Sequence, residues 1–151
     1  MVISHPLDLE QQLCFALYST SRLLVRAYRP LLDRLSITYP QYLVLIVLWQ
    51  VDRAGEEPPT VRTLGSRLHL DSGTLTPLLK RMESRGLITR QRSAHDEREV
   101  HVVLSEEGRR LSKDAESVPE AIGCVVGMDE GDVVELRDRL HDLLDRLGAH
   151  T

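Results

Sequence analysis

Hydroxyl and cationic side chains are concentrated in one stretch of this 151-residue chain, between residues 60 and 103. From Arg62 to Arg92 there are seven Lys or Arg residues and two acids, which gives a local charge of +5. Hydroxyl, ammonium and guanidinium groups can donate hydrogen bonds to base edges and phosphates, so this composition favours a nucleic-acid surface. An ordinary solvated surface is the alternative interpretation.

The other reactive side chains are two thiols, Cys14 and Cys124. In a reducing compartment, two cysteines indicate redox chemistry or packing more often than a permanent bridge. Cys14 lies among leucines, where a small inert core residue is the ordinary interpretation. No Lys or His close to it in sequence would stabilise a thiolate, so any activation must come from elsewhere in the fold.

Two short amphipathic segments position the hydroxyl and cationic groups. They are separated by a polar break at residues 71–73, which is a helix-turn-helix pattern. In the second segment apolar residues recur at i, i+3, i+4 and i+7, so hydroxyls and cations are left on the other faces. Gly86 suits a left-handed helix end, and two β-rich runs follow at 87–92 and 99–104. The fold class is therefore mainly α with a small β-hairpin wing, a winged helix-turn-helix.

Several runs resemble the MarR family of bacterial repressors, and in particular its organic-hydroperoxide-sensing OhrR branch. They are LDSGTLTPLLKRME at 70–83, GLITR at 86–90 and DER at 96–98. The early Cys14 and the run ITYPQY at 37–42 resemble that branch as well. The resemblance implies a repressor rather than an enzyme, without a cofactor. It would bind pseudo-palindromic double-stranded operator DNA as a homodimer.

The resemblance also assigns DNA contacts. The second amphipathic segment would be the recognition helix, and the contacts expected on it are Ser72, Thr74, Thr76 and Lys80. Arg98 at the wing tip is expected in the minor groove, with Asp96 orienting its guanidinium. The other cations near the recognition helix, expected to contact phosphates or to be solvated, are Arg81, Arg85, Arg90 and Arg92.

The implied sensor is Cys14, hydrogen-bonded by Tyr28 and Tyr39. On one straight helix Tyr28 would lie about 21 Å from Cys14, at ~1.5 Å per residue, so a contact requires Tyr28 of the partner subunit. Some members of the family carry a second cysteine in the fifth helix. By that analogy an organic hydroperoxide converts Cys14 to a sulfenic acid, which condenses with Cys124 of the partner subunit. Packing is the alternative role for Cys124.

Two further functions remain open at this point. One is a MarR-type repressor released by reversible binding of a small apolar ligand, with an inert Cys14. The other is a thiol peroxidase, for which a reactive and a resolving cysteine are the minimum. No Cys-x-x-Cys is present, however, and the DNA-binding unit would have no role.

Charge and hydropathy limit the class of protein. The net charge of −4 is unevenly spread, because residues 105–147 hold six cations and twelve acids. No apolar run approaches the roughly twenty residues that cross a bilayer, and the N-terminus lacks a signal peptide's basic start and apolar core. We expect a cytoplasmic protein that does not interact with membranes. The six histidines show no metal-ligand spacing.

The chain is expected to form one domain, 1–151. Its DNA-binding lobe would span 60–104, and its dimerisation region 7–35 and 105–147. Helix one should start near Leu7 or Asp8, with Pro30 kinking rather than ending it. The second helix should start at Pro40 and be buried nearly all round at 42–49.

The later helices have clearer end signals. Either Asp71 or Thr74 could cap the recognition helix, and only the Thr74 choice places Pro77 where no internal hydrogen bond is lost. Ser105 should cap a fifth helix that ends near Gly127. The last helix, about 129–147, carries a coiled-coil-like apolar seam. A lone chain could bury this seam internally, but we expect it to form a homodimer.

Overall fold

The computed structural model describes residues 5–149. Within that range the chain forms seven α-helices and one two-stranded hairpin. They are α1 (Leu13–Asp33), α2 (Tyr39–Ala54), α3 (Val61–Leu68), α4 (Ser72–Ser84), β1 (Ile88–Arg92), β2 (Val100–Leu104), α5 (Glu106–Ala115), α6 (Val118–Val126) and α7 (Glu130–Gly148). The predicted fold class is confirmed.

The chain divides after Glu116 into two compact units, of which the second holds α6 and α7. No helix between residues 5 and 149 is long and apolar enough to span a membrane. His150, one of the six histidines without metal-ligand spacing, falls outside the described residues.

Helix α1 begins later than the sequence indicates. A single 3-10 turn, Leu9–Gln11, comes first, and Gln12 is then extended at φ −85° and ψ 113° before α1 starts. The predicted start near Leu7 or Asp8 is therefore wrong. Pro30 lies inside the helix, which continues to Asp33, so this proline does not end it.

Helix α2 starts with a reciprocal cap. The Gln41 side chain accepts from the Thr38 N–H at 3.0 Å, while the Thr38 hydroxyl accepts from the Gln41 N–H at 3.5 Å. Tyr39 is thus the first helical residue, one position before the predicted Pro40. The helix supplies much of the first unit's core, although Ile46 is 38% exposed, so burial at 42–49 is not complete.

Helix α5 joins α2 to the wing. The Trp49 indole donates to the Gly108 carbonyl at 2.8 Å in a buried contact. Arg109 forms two hydrogen bonds with Asp52, at 2.8 and 2.9 Å, and this pairing lowers the pKa of the Asp52 carboxyl. These contacts fix α5 and, through it, the base of the hairpin against α2.

The predicted fifth helix is in fact two helices. The Ser105 hydroxyl caps α5 as expected by accepting from the Gly108 N–H at 2.9 Å, but α5 ends at Ala115. Helix α6 begins at Val118, with Pro119 in its first turn, where a proline loses no hydrogen bond. Gly127, at φ +63°, ends α6 as predicted.

Candidate functional site

Asp71 caps the recognition helix α4. Its Oδ1 accepts from the Thr74 N–H at 2.8 Å, and the Thr74 hydroxyl donates to Oδ2 at 3.3 Å. Of the two caps left open by the sequence, the structure has Asp71. Pro77 therefore lies inside the helix and removes one internal hydrogen bond.

One face of α4 is buried and the opposite surface carries polar groups. Leu75, Leu78, Leu79 and Met82 are at most 3% exposed. Ser72, Thr76 and Lys80 are exposed and follow one another at four-residue steps, so they lie along one stripe. Thr74 is exposed too, but it lies roughly 200° around the helix from Ser72, at 3.6 residues per turn. Its hydroxyl also contacts the cap.

The wing is a regular antiparallel hairpin, paired from Ile88 opposite Leu104 to Arg92 opposite Val100. At its tip Asp96 and Arg98 are both exposed. The Asp96 carboxylate accepts from the backbone N–H of Arg98 at 2.9 Å. Asp96 thus shapes the turn through the main chain, and no contact with the Arg98 guanidinium is present among the described side chains.

Several cations of this region make intramolecular contacts. Arg67 donates to Gln50 at 2.8 Å, and Arg85 donates to the backbone carbonyl of Ser36. Arg90 forms a 2.8 Å ion pair with Glu83, which lowers the pKa of that carboxyl. Arg85 and Arg90 therefore make intramolecular contacts that the sequence did not indicate. Between residues 60 and 103, the exposed cations whose side chains make no hydrogen bond or ion pair with other described residues are Arg62, Lys80, Arg81, Arg92 and Arg98.

Both thiols are free and exposed. Because α1 starts at Leu13, Cys14 is the second residue of that helix rather than a residue of its second turn. The N–H groups of a first turn have no intrahelical acceptors, and this positive end favours negatively charged groups. The late start of α1 thus places Cys14 in the first turn of the helix, which the sequence did not reveal. Cys124 lies in α6, in the second unit.

An aromatic cluster lies between α1 and α2. The rings of Tyr28 and Tyr39, both predicted sensor residues, have centroids 4.8 Å apart. The ring centroid of Tyr42 lies 5.9 Å from that of Tyr28 and 6.4 Å from that of Tyr39. The ring centroid of Trp49 lies 6.3 Å from that of Tyr42. Burial raises the pKa of all three tyrosines, so at neutral pH their hydroxyls carry the proton and can donate.

The structure brings Tyr28 and Tyr39 together, but not Tyr28 and Cys14. Fourteen residues of α1 separate Tyr28 from the thiol of its own chain, about 21 Å at ~1.5 Å per residue. Sequence reasoning missed Tyr42 and Trp49 as members of this cluster. Tyr42 lies three residues after Tyr39, and Trp49 lies seven residues after Tyr42, so all three are on nearly the same helix face, and that signal could have found them.

A cleft of about 1050 Å³ opens between α1 and the start of α2. Phe15 and Tyr39 contribute apolar surface to it, and Arg22, Arg26 and Arg29 contribute charge. The cleft is large enough for a small organic molecule. Cys14 is adjacent in sequence to one of its lining residues.

This fold and its polar helix surface define the class of winged-helix transcriptional regulators. Residues 26–115 match the family model described as transcriptional regulator SarA/Rot. The organic hydroperoxide resistance transcriptional regulator of Bacillus subtilis (strain 168) is 48% identical over 144 residues, covering 93% of this chain and 92% of the relative. The chain belongs to the MarR family of regulators, in its OhrR branch.

Two solved structures of AbfR, a protein of Staphylococcus epidermidis, are also similar to the chain. The reduced form bound to DNA has a TM-score of 0.73 at 36% identity, covering 92% of this chain and 94% of that one. The disulfide-formed state has a TM-score of 0.61 at 37% identity, covering 90% and 92%. The fold described above is thus similar to both states of AbfR.

Proposed function

We propose that the protein is a homodimeric repressor that binds operator DNA and is released from it when an organic hydroperoxide oxidises Cys14. The observation that carries this proposal is the combination, in one chain, of an exposed hydroxyl and cation stripe on α4 with an exposed thiol in the first turn of α1. The first suits DNA and the second suits a peroxide sensor.

DNA reading is assigned to α4 and the wing. Ser72, Thr76 and Lys80 form the stripe that enters the major groove, and Thr74 contacts the DNA from the flank of the helix while its hydroxyl holds the cap. Arg98 reaches the adjacent minor groove from the wing tip, where Asp96 sets the course of the main chain. A single lobe reads one half-site, so two subunits read a pseudo-palindrome.

The chemistry begins with the Cys14 thiolate attacking the terminal peroxide oxygen. The O–O bond breaks, the alkoxide takes a proton and leaves as an alcohol, and Cys14 becomes a sulfenic acid. The thiol of Cys124 of the partner subunit then displaces this hydroxyl, forming a disulfide and releasing water. Tyr28 and Tyr39 support the reaction as protonated hydroxyls that donate hydrogen bonds to the oxidised cysteine of the partner subunit.

The relatives support this assignment. The Bacillus subtilis protein is named for organic hydroperoxide resistance, and AbfR has been solved both reduced on DNA and with a disulfide formed. A disulfide requires Cα atoms within about 7 Å, so its formation between subunits fixes the helices that carry the two cysteines. Such a constraint would change the spacing of the two recognition helices and release the DNA.

A second candidate function follows from the cleft between α1 and α2. Its volume of about 1050 Å³ and its mixed apolar and cationic lining would accept a small organic ligand. In that case DNA release would be reversible and independent of Cys14.

The deciding experiment measures the covalent state and DNA binding on the same samples. Reduced wild type, Cys14→Ser and Cys124→Ser are mixed with a duplex that the reduced protein enriched from a random pool, and are then titrated with cumene hydroperoxide. Non-reducing electrophoresis reports the disulfide, and a gel shift reports DNA binding. Wild type should lose DNA as a dimer-sized band appears, and neither variant should form that band.

Other outcomes divide the proposal into its parts. DNA release without a cross-linked band would leave Cys14 as the sensor and assign Cys124 to packing. If cumene hydroperoxide left wild type on its DNA, or released wild type and Cys14→Ser alike, the thiol mechanism would be wrong. Release by a ligand extracted from cells, reversed by dialysis, would then support the second candidate.

A further inference from the structure

The last turn of the recognition helix makes contacts on two sides. On one side, the Glu83 carboxylate accepts from the backbone N–H and the Nε of Arg90, both at 2.9 Å, and so ties α4 to β1. On the other side, the Arg85 guanidinium donates to the backbone carbonyl of Ser36, in the turn between α1 and α2. Residues 83–85 therefore join the wing to that turn.

The turn that contains Ser36 has a well-defined backbone. Ser36 adopts a left-handed conformation at φ +54°, which costs energy for a residue other than glycine. The N–H groups of Leu35, Ser36 and Ile37 all donate to carbonyls at the end of α1, at 3.0 to 3.1 Å. Leu32 and Ile37 are 1% and 4% exposed, so both ends of the turn are anchored in the core. Because the turn is held by these hydrogen bonds and buried at both ends, it moves as a unit, and a displacement at one end also displaces the other.

The same turn leads directly into the aromatic cluster. Thr38 caps α2, and Tyr39 is the first residue of that helix, with its ring 4.8 Å from that of Tyr28. Tyr39 lies only three positions after Ser36, whose carbonyl Arg85 contacts. A change at the tyrosine pair therefore has a short covalent path to the contact that positions α4.

We infer that Arg85 is a positioning residue, which holds the recognition helix against the α1–α2 turn and passes a change at the Tyr28–Tyr39 pair to the DNA-reading surface. Its guanidinium makes an intramolecular contact at the surface rather than a contact with a phosphate. This inference rests on the proposed function, since it gives the route by which oxidation reaches α4. Coupling between two sites is reciprocal, so DNA bound at α4 must also order the turn at Ser36.

The test compares Arg85→Met with Arg81→Met. Methionine keeps an unbranched stem and good helix propensity but removes every donor. Arg81 is a matched control, because it lies in the last turn of α4, four residues before the C-cap Arg85, is exposed, and has a side chain without a partner among residues 5–149. For each protein, amide hydrogen exchange at Leu35, Ser36 and Ile37 is measured with and without the enriched duplex. DNA affinity is measured as a function of salt.

In wild type and Arg81→Met, DNA should slow exchange at these three amides several-fold. Arg85→Met should lose that protection while keeping the wild-type salt dependence, because no phosphate contact has been removed. It should also need several-fold more cumene hydroperoxide for half-release. The inference would be overturned if Arg85→Met kept the protection and its salt slope fell by about 1 per subunit, which is the signature of a phosphate contact.

The exchange measurement needs no oxidant, so it separates this inference from the proposed function. If hydroperoxide has no effect on wild type but protection of the turn depends on Arg85, the redox mechanism fails and the positioning role stands. If DNA fails to protect the turn in the unmodified protein, the positioning role fails, whatever the oxidant does and however well the variants fold.

Discussion

Gly108 shows how a single residue can fix the position of several elements. A Cβ at this position would lie 2.2 Å from the Leu87 carbonyl oxygen and 2.9 Å from a Leu104 methyl group. The Gly108 carbonyl in turn accepts the buried Trp49 indole N–H at 2.8 Å. Helix α5 can approach the base of the wing and α2 this closely only because residue 108 has no side chain.

We therefore predict that Gly108→Ala destabilises the protein, by about 1 to 3 kcal/mol as for other overpacked sites. The clash is with backbone, which cannot move away as a flexible side chain can. Gly123→Ala is the control, because it is also helical and has no atom within 4 Å of the added methyl. It should be neutral or stabilising by up to ~1 kcal/mol. Urea unfolding measures both, and equal midpoints for the two variants would contradict this account.

Residues whose role depends on a local pattern could be predicted, and those that depend on a distant partner could not. The exposure of Ser72, Thr76 and Lys80 follows from helical periodicity within α4 itself. Arg85 contacts a backbone carbonyl 49 residues away in sequence, and no spacing pattern encodes such a contact. The family resemblance implied that Tyr28 and Tyr39 bind Cys14, but their contact with each other joins two different helices and was not predicted.

At the scale of the elements, helix ends with a strong local signal were placed correctly. Ser105 before α5 and Gly127 after α6 are examples. The start of α1 was not, because apolar spacing continues upstream through Leu9 while Gln12 is extended. The break between α5 and α6 was missed too, although Pro119 marks a helix start. The first of these errors concealed the position of Cys14 in a first turn.

The cap of the recognition helix gives a prediction at this scale. Asp71→Ala should destabilise the protein by about 1 kcal/mol, because the Thr74 N–H loses its acceptor, and DNA affinity should fall as the helix frays. Asp129→Ala is a matched control. Asp129 precedes α7 in the same cap position but its side chain accepts no cap hydrogen bond, so its loss should cost only a few tenths of a kcal/mol. Thermal unfolding and a gel shift measure both effects, and similar losses in the two variants would show that the cap hydrogen bond is unimportant.

At the scale of the whole molecule, α1 and α7 expose more apolar surface than a solvated helix needs. Leu13, Leu23 and Leu147 are each more than half exposed in the single chain. The predicted seam of α7 is exposed as well, with Val133, Leu136 and Leu140 at 40%, 46% and 39%. Exposed apolar stripes on terminal helices are typical of an interface, and a second copy of the chain would also supply the second half-site contact.

The last prediction therefore concerns assembly. The protein should sediment as a dimer, and Leu140→Asp should give monomers, because it places a charge in the seam without a partner. With only one lobe per particle, affinity for the enriched duplex should fall on the order of 10² to 10⁴-fold, the usual loss when two linked contacts become one. Val134→Asp is the control, since Val134 is similarly exposed, at 38%, on the same helix but outside the seam. Analytical ultracentrifugation with a gel shift tests this, and hydroperoxide should no longer cross-link Leu140→Asp, because the proposed disulfide joins two subunits. A Leu140→Asp variant that remained dimeric would place the interface on α1 alone. A monomeric wild type with full DNA affinity would exclude recognition of the operator by two DNA-binding lobes, one from each subunit.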